Sequence, residues 1–316
     1  MQTPALPYLD LNDIDFEKEI GRGNFPVYKA TVAKEVIAVK KMNCERKKIP
    51  REVQVHRDLH SHPNVLALLG ITHSKDGFTI HICVELADKS LYHYLHTEKK
   101  VPSHQQSTKW AMQIASGLHH LHKHGLVHRD LKSPNVLLFE REDVTKVCDF
   151  GCARPLDHTT VLSGMAGTYR WMAPEFHNKE SQKINQRCDV FSYGMVLYEI
   201  FTHTLPFTEA QGVDVPQKIH KGERPHIPQE LQGYIKVLIQ LCWKQKPNDR
   251  PTFERILQVG WTWCIIILCS CIDSCSNNIN ISLYNPQGLK TTPMSEEEMQ
   301  EILVSVNMQS YIISWY

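Results

Sequence analysis

Two short segments concentrate side chains that could do chemistry. One reads His128-Arg129-Asp130-Leu131-Lys132-Ser133-Pro134-Asn135 and the other Asp149-Phe150-Gly151. Asp130 is placed to accept the proton of an attacking hydroxyl. Lys132 can neutralise a terminal phosphate, and Asn135 and Asp149 offer oxygen donors of the kind magnesium takes. A third segment, Ala38-Val39-Lys40, ends an apolar strand fragment with a lysine able to hold phosphate oxygens. Phosphoryl transfer requires held phosphates and metal ions, an aimed hydroxyl and stabilised charge, and these three segments supply those parts in order. Any one of them alone is also what an ordinary turn or strand end looks like; the ordered set is not. The reactants this predicts are ATP and Mg2+. His128 reads as a structural, hydrogen-bonding histidine, and the other histidines lack metal-ligand spacing.

Such groups need elements to position them. From Ile14 to Ala87 short apolar runs alternate with turn residues, a strand-rich pattern that includes Ile37-Ala38-Val39 and Phe78 to Leu86. One helix interrupts it, expected to start at Pro50 and to carry Val53, Val55 and Leu59. Glu52 on that helix is the expected partner of Lys40, because Glu45 is too close along the chain to sit on a facing helix. After Asp88 the pattern turns helical. Trp110, Ile114, Gly117, Leu118 and Leu121 define an amphipathic helix, and Val190 to Phe201 is apolar on nearly all sides, as a central buried helix must be. The expected fold class is α+β: a small β-rich lobe over residues 14–87, a larger α-helical lobe over 88–258, and a hinge near 85–89. Residues 1–13 read as an extended leader and 259–316 as an atypical tail.

At this point the chain resembles the eukaryotic protein kinases, over roughly residues 14–258. The resemblance extends to Ala173-Pro174-Glu175, to Asp189 followed by Ser192 and Gly194, and to Arg250. It implies that Glu175 pairs with Arg250 and that Asp189 anchors the backbone around Arg129. It further implies that nucleotide is held by Ile20, Gly21, Arg22, Gly23, Asn24, Phe25, Pro26, Val27 and Tyr28, by Ala38 and Lys40, and by Val84, Glu85 and Ala87. Cys148, next to Asp149, would face the same cleft. The glycine-rich loop departs from the family pattern: one residue is missing and Pro26 stands where a third glycine belongs. Proline has no amide hydrogen, so one phosphate contact is expected to be lost.

Lys132 and Thr168 follow the serine/threonine arrangement. Arg170-Trp171-Met172-Ala173-Pro174-Glu175 and Cys242-Trp243 resemble the tyrosine-kinase-like branch. Asp157-His158-Thr159-Thr160 and the short link from Lys40 to Glu52 are similar to mixed-lineage mitogen-activated protein kinase kinase kinases. That resemblance implies protein substrates, downstream kinase kinases in a stress-type cascade. Thr159, Thr160 and Ser163 lie where an added phosphate could pair with Arg129. The alternatives are a pseudokinase scaffold with weakened nucleotide binding, and a membrane-tethered kinase.

Bulk composition is compatible with this. The chain has 316 residues, 42% hydrophobic and 22% charged, with a net charge of +1, so no nucleic-acid partner is expected. No basic region followed by an apolar run opens it, and the scattered cysteines before residue 260 read as reduced and buried, which places the protein in the cytoplasm. The membrane alternative rests on the uncharged stretch 256–272. A helix of that length spans about 26 Å, short of a hydrocarbon core of about 30 Å.

Overall fold

The computed structural model describes residues 7–22, 25–45, 49–59, 61–155, 169–176, 184–210 and 214–258. The chain divides into two units, Met1–Ile256 and Leu257–Tyr316, and nearly all the described residues belong to the first. The tail 259–316, Gly23, Asn24, Thr159, Thr160, Ser163 and Thr168 lie outside the described residues.

The small lobe is an antiparallel sheet of β1 (Asp15–Arg22), β2 (Pro26–Val32), β3 (Glu35–Asn43), β4 (Leu68–His73) and β5 (Thr79–Glu85), in the order β1-β2-β3-β5-β4. Alternation along these strands creates two apolar faces. Ile71, Ile80 and Ile82 meet Val53 of the helix α1 (Arg51–Leu59) on one face. Ile14, Ala30, Ile37, Val39 and Cys83 cluster on the other, where Leu9 and Leu11 of the leader pack against them. α1 begins one residue later than the sequence suggests. Pro50 acts as its cap, accepting the Gln54 N–H on its carbonyl at 3.3 Å.

The described part of the leader, residues 7–13, is held in place. Tyr8 bridges Ile71 in parallel, Leu9 N–H donates to the Ile71 carbonyl at 2.9 Å and Ile71 N–H to the Pro7 carbonyl at 3.0 Å. This single bridge satisfies the outward-facing backbone groups of Ile71 on the edge strand β4. Gly70 permits it, since a Cβ there would lie 2.8 Å from Leu9 Cγ and 3.0 Å from the Pro7 carbonyl oxygen.

The large lobe is built on α2 (His104–Lys123) and α3 (Arg187–Thr202). Ser103 caps α2, accepting the Gln106 N–H at 3.1 Å. α3 is buried from Cys188 to Ile200, as its apolar sequence requires, and Tyr193 donates to the Ala111 carbonyl of α2 at 3.0 Å. The short strand β6 (Lys89–Ser90) pairs with β8 (Val136–Phe139), and β8 with β9 (Val144–Val147). In a separate two-stranded sheet, β7 (Leu126–Val127) pairs with β10 (Arg154–Pro155). The helices α4 (Val215–His220) and α5 (Gly233–Cys242) complete the lobe. Among the described residues no helix is long and apolar enough to cross a membrane.

Candidate active site

Lys40 lies on β3, paired with Val27 of β2 and Ile82 of β5, so its position is set by the middle of the sheet. Its Nζ reaches Glu52 Oε2 at 2.8 Å and Asp149 Oδ1 at 3.0 Å. Burial works against the Lys40 charge, but the two carboxylates outweigh it and hold its pKa above that of a free lysine. Burial likewise opposes ionisation of Asp149, and Lys40 overcomes that, keeping the carboxylate below its usual range. Glu52 is buried almost completely, which lifts its pKa despite Lys40, and the nearby Asp149 charge adds to the rise.

The catalytic-loop candidates are held from behind by Asp189. This fully buried carboxylate accepts the His128 and Arg129 backbone N–H groups, each at 2.8 Å, and His122 Nε2 stands 2.8 Å away. Burial would raise its pKa, but His122 and the backbone donors keep it ionised. His128 is structural, as expected: its Nε2 lies 2.9 Å from the Cys148 carbonyl oxygen. Arg129 and Asp149 both take left-handed backbone angles, φ 67° and 63°, a conformation disfavoured for residues with a Cβ. Such strain persists only where surroundings enforce it, and it is common at functional sites.

Asp130 Oδ2 receives Lys132 Nζ at 2.9 Å, and Asn135 Nδ2 donates to the Asp130 carbonyl at 2.8 Å. Asp130 Oδ1 is buried without a hydrogen-bond partner. That oxygen keeps its full capacity to accept a hydrogen bond. Burial pushes the Asp130 pKa up, with Lys132 opposing, which strengthens it as a base. The Asn135 amide nitrogen is taken by Asp130, so its oxygen is the donor left for a cation. Among the described residues no cluster of three His, Cys, Asp or Glu side chains suits a metal. Two oxygen donors, Asn135 and Asp149, fit magnesium, which keeps waters and shares phosphate oxygens rather than filling a protein cage.

Phe150 is fully buried between His56 of α1 and His128, at ring-centroid distances of 4.9 and 5.6 Å. It thereby couples the helix bearing Glu52 to the loop bearing Asp130. Val84, Ala87 and Leu137 pack against the buried cluster of Leu66, Phe139 and Cys148, which forms one wall at the hinge. Cys148 is on that wall, but burial raises its thiol pKa and the Asp149 charge adds to this, so it is a poor nucleophile. In the β1–β2 hairpin Gly21 faces Val27 and Arg22 faces Pro26, so the proline sits directly at the return strand. Glu175 forms a two-bond pair with Arg250, at 2.7 and 2.8 Å.

Sequence reasoning missed Glu199. It is fully buried in α3 and gathers His96 Nε2 at 2.9 Å, Ser133 Oγ at 2.6 Å and the Trp171 indole N–H. It ties the catalytic loop to the segment preceding Ala173-Pro174-Glu175. A lone carboxylate inside the apolar run from Val190 to Phe201 was the available signal, since a buried charge needs partners.

A family described as protein tyrosine and serine/threonine kinase matches residues 14–259. The chain belongs to the protein kinase family. It is 33% identical over 259 residues to a serine/threonine-protein kinase, STY17, of Arabidopsis thaliana, covering 79% of this chain and 45% of that relative. It is 34% identical over 264 residues to mitogen-activated protein kinase kinase kinase 7 of Drosophila melanogaster, covering 80% and 38%. The human protein of that name is 33% identical over 261 residues, covering 79% and 42%. The kinase thus spans less than half the length of these relatives. The resemblance to mitogen-activated protein kinase kinase kinases stands, as does the bilobal α+β fold.

Proposed function

We propose that this kinase transfers the γ-phosphoryl group of ATP, with magnesium, to serine or threonine hydroxyls, and that its substrates are kinase kinases of a stress-type cascade in the cytoplasm. The observation that carries the reading is the joint grip of Glu52 and Asp149 on Lys40, in the same site as Asp130 and Asn135. Lys40 would hold phosphate oxygens, with Glu52 fixing its position. Asp149 and Asn135 would hold magnesium, which when bound offsets the negative charge of the phosphates. Asp130 would orient the substrate hydroxyl on Oδ1 and take its proton, while Lys132 balances charge beside it. The names of the relatives support the choice of serine/threonine and of the cascade. The cytoplasmic placement draws support from Cys44, Cys83, Cys148, Cys152, Cys188 and Cys242, which carry no disulfide.

Purified protein given labelled ATP, magnesium and a catalytically inactive kinase kinase tests this. Phosphoserine or phosphothreonine on that substrate is the expected result. Transfer only to a generic protein would refute the cascade assignment. No transfer at all would favour the pseudokinase scaffold, for which the one structural argument is Pro26 at the mouth of the glycine-rich loop. Phosphate on Thr159, Thr160 or Ser163 would support switching through Arg129. Full-length protein in a carbonate-resistant membrane pellet would favour tethering through 256–272.

A further inference from the structure

A cavity of about 170 Å³ lies in the large lobe, between the end of α2, the start of α3 and the segment 252–254. None of the residues assigned to nucleotide, magnesium or proton transfer lines it. Its volume takes a group of a few heavy atoms, whereas pockets for drug-sized molecules hold roughly 300–1,000 Å³. Lys123, exposed at the end of α2, and Arg187, half-buried in the first turn of α3, both line it. Among the described residues neither is paired with a carboxylate, and the Arg187 guanidinium donates to the Arg250 carbonyl instead. Burial, and then the Arg250 charge, lower the Arg187 pKa, as expected of a guanidinium with no counter-charge beside it. Burial, and then Lys123, also lower the His119 pKa, so near neutrality that ring offers the cavity a single N–H. Glu254 is the one acidic residue in the lining. His122 forms a further wall, and its Nε2 stands 2.8 Å from Asp189 Oδ2, the oxygen that accepts the His128 N–H.

We propose that this cavity binds a phosphate group between Arg187 and Lys123, either as the free ion or as the head of a phosphorylated serine or threonine. Two cations without a carboxylate partner favour a dianion, and a guanidinium presents paired N–H groups that match two phosphate oxygens. The His119 N–H adds a neutral donor, while Glu254 opposes binding. A bound anion lies against His122, one side chain away from the Asp189 carboxylate that holds the catalytic loop. Occupancy therefore steadies the His128 backbone from behind. Binding needs no ATP, so the site stands or falls apart from the transfer reaction.

The test titrates nucleotide-free protein with inorganic phosphate at constant ionic strength and follows the amide resonances of Val190 and Phe253, which wall the cavity. Saturating shifts at both amides are expected. Lys123→Met, an exposed change that keeps the aliphatic stem, is expected to weaken binding about fivefold, and Glu254→Gln to tighten it about threefold. These two variants decide the matter, because loss of Arg187 would also free the Arg250 carbonyl. A short phosphoserine peptide is titrated in parallel. Affinity more than about tenfold above that of phosphate assigns the site to a phosphorylated protein segment, and equal affinity assigns it to the free ion. Hydrogen exchange at the His128 amide is expected to slow about threefold on saturation in the parent but not in Lys123→Met at the same phosphate concentration. No shift at Val190 and Phe253, or equal affinity in Lys123→Met and the parent, overturns the site. Unchanged exchange at His128 overturns its link to the catalytic loop.

Discussion

Asp130 and Lys40 are each defined by what their neighbours leave free. Asp130 has one oxygen on Lys132 and one with no partner, and burial has raised its proton affinity. Asp130→Asn keeps the shape and removes the base. Turnover is expected to fall by about 10^2 to 10^4, the usual worth of general base catalysis, with little change in the unfolding midpoint. Steady-state kinetics beside a thermal melt checks it, and near-parental turnover would remove Asp130 from the mechanism. Lys40→Met acts differently, because it strands two carboxylates that repel each other. Glu52 is the more buried, so it should take up a proton, and removing a buried partner costs about 3–5 kcal/mol in comparable pairs. Loss of transfer together with a lower urea midpoint is the expected outcome.

At the scale of elements, the joint between lobes depends on a close approach. A Cβ on Gly117 of α2 would lie 2.4 Å from the Asn64 carbonyl oxygen, in the loop that also pairs with Val147. Backbone cannot swing aside as a side chain can, so Gly117→Ala is expected to displace that loop and cost about 1–3 kcal/mol, read as a lower denaturant midpoint. Much of this architecture was legible in the sequence. The 3.6-residue spacing from Trp110 to Leu121 and the apolar run after Asp189 named the two central helices, and the ordered motifs placed Lys40, Asp130, Asn135 and Asp149 in one site. The pairing of Lys40 with Glu52 was legible because spacing excluded Glu45. What escaped were partnerships between residues remote in sequence whose types are individually unremarked. Glu199 with His96 and Ser133, Glu85 with Lys146, and Leu9 beneath Gly70 become visible only when topology brings them together.

For the whole molecule, histidines contribute a dependence on acidity, His56 and His62 most strongly among the described residues. Burial is the main cause that lowers both His56 and His62 to about 4, with the Lys40 charge adding at His56 and neighbouring histidines at His62. In an unfolded chain both would titrate near 6.5, so between about pH 6.5 and 4 the folded protein binds fewer protons than the unfolded one. Stability is therefore full above that window and lost as pH falls through it, by up to about 1.4 kcal/mol per pH unit for each histidine. Unfolding midpoints at pH 7, 6 and 5 are expected to decline, and His56→Leu to make the decline less steep. An unchanged slope in His56→Leu would mean that the ring already carries its proton when folded. The leader bridge on β4 has a consequence for synthesis. Residues 7–9 leave the ribosome well before Ile71, so the partner for its backbone groups is waiting when β4 emerges. During translation on a crowded polysome, the Ile71 backbone groups on the rim of the sheet need never stand open to another nascent chain.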